Sequence, residues 1–338
     1  MVIGVVAGIA SYLFISQKPV TINVVETKEV YDSNVVNRDS YNYIYDSVKN
    51  SVVTIQTNKG RGSGVIVTDD GHVVTNEHVI RGANRVNIIS LDNNIYPAKI
   101  VGIDAITDIA LLKSDFKGKA ISFSDSSTVK IGDIVLAIGN PFGVGQTLTK
   151  GIISRTNSGH ITENPLDEFL QSDAAINPGN SGGAMVNING DLIGINTMNL
   201  SLGGGSDGIG LAVPSNLVKN ITQQLIKYGR VVRGYIGMSA YDTPNGVVIS
   251  KILNNGPADK SGILPNDIIL SLDGVKINNI KQVVKIVASL KVGEDIILKF
   301  KRDNEIIETV INVSVMPRTH KSIQRWLISI FSWFRVRV

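Results

Sequence analysis

Apolar residues between Ser51 and Val213 come in short runs broken by Gly, Asn and Asp, the pattern of strands and tight turns rather than of long helices. The runs cover 51–57, 64–68, 72–75, 85–89, 96–103, 109–113, 134–138, 151–154, 184–186, 192–197 and 209–213. Asp69-Asp70-Gly71 predicts a hairpin turn between the second and third. Many short strands at close spacing predict a sandwich or barrel. Two helices flank this region. One is predicted at 41–50. The other starts at Ser215 as its cap, carries an apolar stripe of Leu217, Ile221 and Leu225, and stops at Gly229. Residues 230–233 form a short basic joint. From 234 to about 316 the pattern predicts a small α+β unit, with strands near 246–252, 267–272 and 296–301 and a helix at 280–290.

The ends read differently. Residues 2–15 are apolar or small apart from Ser11 and Tyr12, a stretch shorter than the ~20 residues of a usual spanning helix. A membrane anchor at 1–16 is the expectation. A cleaved signal peptide and a buried segment compete with it; no Lys or Arg precedes the stretch and no small-x-small cleavage site follows. Residues 17–39 are a polar linker. In the tail, 317–338, Ile323, Trp326, Leu327, Ile330 and Phe334 recur at helical spacing among Lys321, Arg325, Arg335 and Arg337. A basic amphipathic helix of this kind fits a membrane surface, and equally a helix packed on its own protein.

Composition narrows the chemistry. A chain of 338 residues can build two or three cores. The net charge of +4 is mild and no Lys/Arg stripe forms, so nucleic acid is not an expected partner. Cysteine is absent, which excludes a disulfide framework, a thiol nucleophile and a Cys-based zinc site. The four histidines, His72, His78, His160 and His320, are scattered and form no ligand pair. Neither a metal nor a cofactor is expected.

A serine hydroxyl attacks only when a base takes its proton. Ser181 stands out because Gly179, Gly182 and Gly183 strip side chains from around it and allow a tight turn. Such a turn can aim the N–H groups of Gly179 and Ser181 at one point, as an oxyanion hole. For the base, His78 follows the strand 72–75, whereas His72 sits beside a hairpin turn, His160 in a polar loop and His320 outside the folded units. Two carboxylates compete to orient it, Asp104 and Asp108. Asp108 leads directly into the apolar Ile109-Ala110-Leu111-Leu112, and an aspartate entering a core needs a partner; Asp104 reads as a turn cap. The stretch Gly60-Arg61-Gly62-Ser63-Gly64 precedes a strand rather than a helix and reads as a turn.

The order His78, Asp108, Ser181 is that of double-barrel serine proteases. The motifs Thr75-Asn76-Glu77-His78-Val79, Thr107-Asp108-Ile109-Ala110-Leu111-Leu112 and Gly179-Asn180-Ser181-Gly182-Gly183-Ala184 resemble the active-site motifs of the HtrA (Deg) proteases. Gly139-Asn140-Pro141-Phe142-Gly143 and Gln171-Ser172-Asp173-Ala174-Ala175-Ile176-Asn177 add to the resemblance, which covers about residues 40 to 316. It implies a mainly β fold, with a trypsin-like double β-barrel at 40–229 and a PDZ domain at 230–316. It also implies a homotrimer that cleaves unfolded or membrane-tethered polypeptides. By position in that fold, Ile176, Asn196, Thr197 and Met198 line the specificity pocket. No acidic residue is evident there, so cleavage after small apolar residues is expected. Tyr235, Ile236, Gly237 and Met238, in Gly234-Tyr235-Ile236-Gly237-Met238, resemble a PDZ carboxylate-binding loop.

One PDZ unit, the apolar N-terminal stretch and the lack of a long insertion between Thr57 and Gly64 are most similar to the membrane-anchored stress-sensor type within the family. That likeness implies a periplasmic enzyme on the inner membrane that cleaves an anti-sigma factor. C-termini of misfolded outer-membrane proteins would switch it on. Asn180 stands where digestive relatives carry an aspartate that pairs with a freed amine, so activation by rearrangement of loops 139–150, 154–168 and 196–208 is expected instead of N-terminal trimming. The tail is a further expected regulator, by occupying a PDZ groove. An inactive peptide-binding scaffold and a chaperone-like binder on the same fold are the other function classes.

Overall fold

The computed structural model describes residues 41–140, 145–156, 166, 168–200 and 207–315. The expected anchor, linker and tail lie outside these, as do 141–144, most of 157–168 and all of 201–206 of the expected activation loops. Helix α1 (Tyr41–Val48) buries Ile44 and Val48 and leads into the first barrel. That barrel closes in the order β1 (Val52–Thr57), β2 (Arg61–Thr68), β3 (His72–Thr75), β6 (Ile109–Ser114), β5 (Ile95–Asp104), β4 (Val86–Ile89). Between β3 and β4 lies the short helix α2 (Glu77–Ile80). The second barrel comprises β7 (Ile134–Gly139), β8 (Thr147–Arg155), β9 (Leu170–Ser172), β10 (Ala184–Val186), β11 (Leu192–Asn199) and β12 (Gly210–Pro214). The expected trypsin-like double barrel is therefore observed.

Strand alternation explains the two kinds of core. One set of faces fills each barrel: Val53, Ile55, Ile66, Val73, Ile88, Ala110 and Leu112 in the first, Val135, Ala137, Ile153, Met185, Ile193 and Ala212 in the second. The alternate positions Val52, Val65, Val74, Ile109 and Leu111 meet Leu136, Ile138, Ala184, Ile195 and Val213 in a shared seam. Each such side chain contributes about 1.5–3 kcal/mol on burial. The seam thus fixes one barrel against the other, and the cleft between them inherits that rigidity.

Helix α3 (Ser215–Tyr228) packs Val218, Ile221 and Leu225 onto the seam. It ends as expected: Gly229 adopts φ 65° and its N–H bonds the Leu225 carbonyl at 2.9 Å. Its start differs. Pro214 occupies the cap position, and Ser215 is helical and buried, its hydroxyl donating to the Ser124 carbonyl at 2.7 Å. The serine serves tertiary packing rather than the helix end.

The last unit begins with β13 (Gly234–Tyr235), β14 (Met238–Thr243), β15 (Gly246–Ile252) and the short α4 (Pro257–Lys260). It continues with β16 (Ile268–Leu272), β17 (Val275–Lys276), α5 (Ile280–Ser289), β18 (Asp295–Arg302), β19 (Glu305–Asn312) and β20 (Ser314–Val315). Its main sheet runs β14-β15-β16-β18-β19, and α5 closes the core with Val283 and Val287. This is the expected small α+β domain. The reading of local pattern missed β14 and β19. Both mix apolar with polar and charged residues, as MSAYDT and EIIETVIN, and are paired along their whole lengths to β15 and β18.

Candidate active site

Asp108 sits in the tight loop between β5 and β6 with φ 57°, left-handed backbone that aspartate tolerates better than most residues and that costs about 1–3 kcal/mol. Every acceptor on it is used. Its Oδ2 accepts from His78 Nδ1 at 2.6 Å and from the Thr197 hydroxyl at 2.8 Å. Its Oδ1 accepts the His78 backbone N–H at 2.9 Å. Its carbonyl accepts from Asn76 Nδ2 at 2.9 Å and from the Glu77 N–H at 3.1 Å. A carboxylate only accepts, so Nδ1 of His78 carries the proton and Nε2 is left as the basic nitrogen.

The competition between carboxylates resolves geometrically. Asp104 lies at the end of β5, accepts from Thr107 Oγ1 at 2.5 Å and is gripped by Arg233, with Nη1–Oδ1 2.8 Å and Nη2–Oδ2 2.6 Å. It ties the chain after α3 to the loop that carries Asp108. His78 differs from expectation in its element: it lies not at a bare strand end but in α2, whose first turn the Asp108 carbonyl caps through the Glu77 N–H. The imidazole is therefore held through its backbone and its ring together.

The Ser181 loop is two linked turns, with the Asn180 N–H on the Asn177 carbonyl and the Gly183 N–H on the Asn180 carbonyl, both 2.9 Å. Gly182 has φ 84°, and a Cβ there would fall 2.1 Å from the Ser63 carbonyl, so no other residue fits. Among the described residues, the Gly179 and Ser181 N–H groups donate to nothing, as an oxyanion hole requires. Asn180 is buried and its Oδ1 has no described partner. An aspartate there would strand a buried charge, which gives a physical reason for the uncharged residue.

Ser63 was missed by the sequence reading. The expected turn at 60–64 is instead the start of β2, and Ser63 is fully buried in it. Its hydroxyl donates to the Gly179 carbonyl at 2.6 Å and accepts the Asn140 N–H at 2.9 Å, while its N–H donates to the Ser181 carbonyl at 2.8 Å. One first-barrel serine thus holds the second barrel's nucleophile loop. The only local signal was a serine flanked by glycines.

His78, Asp108 and Ser181 line one cleft of about 620 Å³ between the barrels, together with Arg81, Ala105, Ile106, Ile176, Asn177, Pro178, Thr197, Met198 and Asn199. Of the expected pocket residues, Ile176 and Met198 line it. Thr197 is at its floor, committed to Asp108. Asn196 is a correction: it is fully buried, does not line the cleft, and its Nδ2 bonds the Ala184 carbonyl at 3.0 Å while its own carbonyl takes the Gly182 N–H at 2.7 Å. The register of β11 against β12 shifts between Asn196 and Met198, so Thr197 and Met198 both reach the cleft while Asn196 stays inside.

In the last domain, Tyr235, Ile236, Gly237 and Met238 line an apolar groove against Ile280, Val283, Val284 and Val287 of α5. The Ile236 and Gly237 carbonyls are taken by the Ala258 and Leu253 N–H groups, both at 2.8 Å. Their own N–H groups donate to nothing among the described residues and face no competitor for an incoming carboxylate. Burial pushes the Tyr235 phenol above its ordinary pKa. Outside the groove, Lys285 of α5 meets Glu168 of the second barrel's 157–168 loop at 2.5 Å. Among the described residues no cluster has the makings of a metal site, and no helix is long and apolar enough to cross a membrane.

The trypsin-like peptidase domain family matches residues 62–195 and the PDZ domain family residues 234–313. The periplasmic serine endoprotease DegP of Escherichia coli (strain K12) is 42% identical over 259 residues, 72% of this chain and 55% of DegP. The chain thus spans about half the length of the curated relatives it matches. Among solved structures, the HtrA-type protease AlgW with a decapeptide is 34% identical with a TM-score of 0.77, covering 83% of this chain and 100% of that one. A serine endoprotease from Yersinia pestis is 37% identical with a TM-score of 0.72, covering 82% of this chain and 98% of that one.

Proposed function

The chain belongs to the HtrA family of serine endoproteases, and on that premise we propose that it hydrolyses peptide bonds of unfolded or membrane-tethered polypeptides with His78, Asp108 and Ser181 as its catalytic triad. The observation that carries the reading is the Asp108 carboxylate, which accepts from His78 Nδ1 and from Thr197 in the cleft that Ser181 lines. Nε2 of His78 takes the Ser181 proton as the hydroxyl oxygen attacks the scissile carbonyl. The Gly179 and Ser181 N–H groups receive the oxyanion, a contribution of about 3 kcal/mol per donor. His78 returns the proton to the leaving amine, and water repeats the sequence on the acyl-enzyme. Ile176 and Met198 favour small apolar side chains before the cut.

Regulation is read from the second domain. A peptide C-terminus lies in the groove of Tyr235 to Met238 as an added strand. The Lys285–Glu168 contact joins α5, one wall of that groove, to the second barrel just before β9. The peptide complexes of AlgW support the same direction. We extend this to a DegS-like envelope-stress sensor: trimeric, anchored by residues 2–15 on the periplasmic face of the inner membrane, and cleaving an anti-sigma factor when outer-membrane protein C-termini bind. Similarity to DegP favours a second reading, a general quality-control protease.

Cleavage of an unfolded reporter, with and without C-terminal peptides, beside Ser181→Ala, tests both. Peptide-gated, Ser181-dependent cleavage supports the sensor. Constitutive cleavage favours quality control. Equal activity in Ser181→Ala rejects the triad.

A further inference from the structure

This inference rests on the proteolytic reading of the cleft. In that reading the scissile carbonyl points at the Gly179 and Ser181 N–H groups and the preceding side chain enters the wall formed by Ile176 and Met198. His78 hands its proton to the leaving amine, so the residues after the bond run out past His78 along the first barrel.

Lys59 and Arg81 meet there, and a third cation, Arg61, flanks them on β2. Ser63 donates its N–H to the Ser181 carbonyl at 2.8 Å. A Cβ on Gly62 would lie 3.2 Å from that same carbonyl and 2.7 Å from Val79 Cγ1. The backbone at Arg61–Gly62 is therefore pressed against both Ser181 and the neighbour of His78, and the exposed Arg61 lines the adjoining hollow with Thr54, Asn140 and Gln146. Arg81, one turn after His78, lines the cleft itself, and its side chain is 65% exposed. Lys59 closes the group, with Nζ 3.5 Å from the Arg81 carbonyl.

The countercharge is buried. Glu77, with its side chain 7% exposed, accepts Arg81 Nε at 2.8 Å and also engages Nη2. This pair fixes the guanidinium on α2 and leaves Nη1 without a described partner. Asp108, deeper in the cleft, is committed to His78 and Thr197. This side thus carries Arg81 in the cleft, Lys59 against its backbone and Arg61 in the adjoining hollow against the buried Glu77 carboxylate, while Ile176, Pro178 and Met198 of the cleft carry no charge. A guanidinium already held in place binds a carboxylate with little further loss of side-chain entropy.

We infer that Lys59, Arg61 and Arg81 form a cationic subsite that selects polypeptides bearing Asp or Glu within the first few residues after the scissile bond. The subsite explains how an enzyme with an apolar pocket, which tolerates many sequences, would still choose among unfolded chains.

The test uses the full chain and matched quenched-fluorescent peptides. These share one apolar residue before the cut and carry Asp, Gln or Lys at each of the next three positions. The wild type should cleave the best-placed Asp peptide about five-fold faster in kcat/KM than its Lys counterpart, an advantage that shrinks as salt rises. Lys59→Glu with Arg61→Glu should invert the order, a gain that misfolding cannot produce. Glu77→Gln with Arg81→Gln, which removes the cation without stranding a buried carboxylate, should reduce the Asp-to-Lys ratio. Cleavage with no preference, or a preference that survives charge reversal, overturns the inference while leaving the protease reading intact. Absence of Ser181-dependent cleavage overturns both.

Discussion

Arg233 closes a two-pronged ion pair on Asp104, so the residue that introduces the PDZ domain is bolted to the loop that carries Asp108. Both side chains are nearly buried, at 11% and 6% exposure. Burial makes the pair costly to break from one side, because the remaining charge is left without its partner.

Arg233→Ala should therefore lower stability by about 3–5 kcal/mol. Arg233→Met with Asp104→Leu should recover much of that loss, since an apolar replacement strands no charge. Denaturant unfolding of the single and double variants measures both. Equal stability of Arg233→Ala and wild type would show that the pair is solvated in solution.

Among the described residues, Thr197 brings the one hydroxyl to the Asp108 carboxylate, reached across 89 positions of sequence. Thr197→Val should cut kcat about ten-fold with KM little changed, and Thr197→Ser should restore most of it, since a hydrogen bond to a charged group is worth about 1.5–3 kcal/mol. An equal loss in kcat for the Val and Ser variants would assign the effect to the methyl group instead.

Gly182→Ala places a Cβ where the Ser63 carbonyl and the Thr75 hydroxyl already sit, at 2.1 and 2.4 Å. With φ at 84° as well, the nucleophile loop cannot keep its shape. Activity should vanish and stability should fall by on the order of 3 kcal/mol or more. A thermal melt beside a reporter assay checks this.

The Lys285–Glu168 pair is half exposed, at 54% and 37%, so its contribution to stability is small, about 0–1 kcal/mol. Its expected effect is regulatory. Lys285→Glu should raise cleavage in the absence of peptide, and the swap Lys285→Glu with Glu168→Lys should return it to the wild-type level. Unchanged peptide-free rates in the single variant would remove this contact from the regulatory route.

Asp70, in the turn between β2 and β3, is held well below its ordinary carboxylate range, first by Lys113, then by Thr68 and His72. A depressed folded-state pKa contributes stability above the unfolded value of about 4, and the contribution fades as pH falls through the folded value. Asp70→Asn should thus narrow the stability gap to wild type on acidification. Because the side chain is 66% exposed, salt should narrow it too. Melting temperatures at neutral and acid pH, at low and high salt, decide it.

Much of this protein is written locally. Short apolar runs broken by Gly and Asn are sufficient for a mainly β fold, because strand alternation and turn chemistry are properties of neighbouring residues. The glycines around Ser181 and the aspartate at the edge of Ile109–Ser114 mark chemistry for the same reason. Other features depend on which strands meet. Ser63 grips the Ser181 loop only because the two barrels share a seam, and Asn196 is buried where β11 loses its regular register with β12. Arg233 finds Asp104 across 129 positions. Barrel closure and register decide these pairings, and no local pattern encodes them, since each bond joins groups far apart in sequence that only the packed cores bring together.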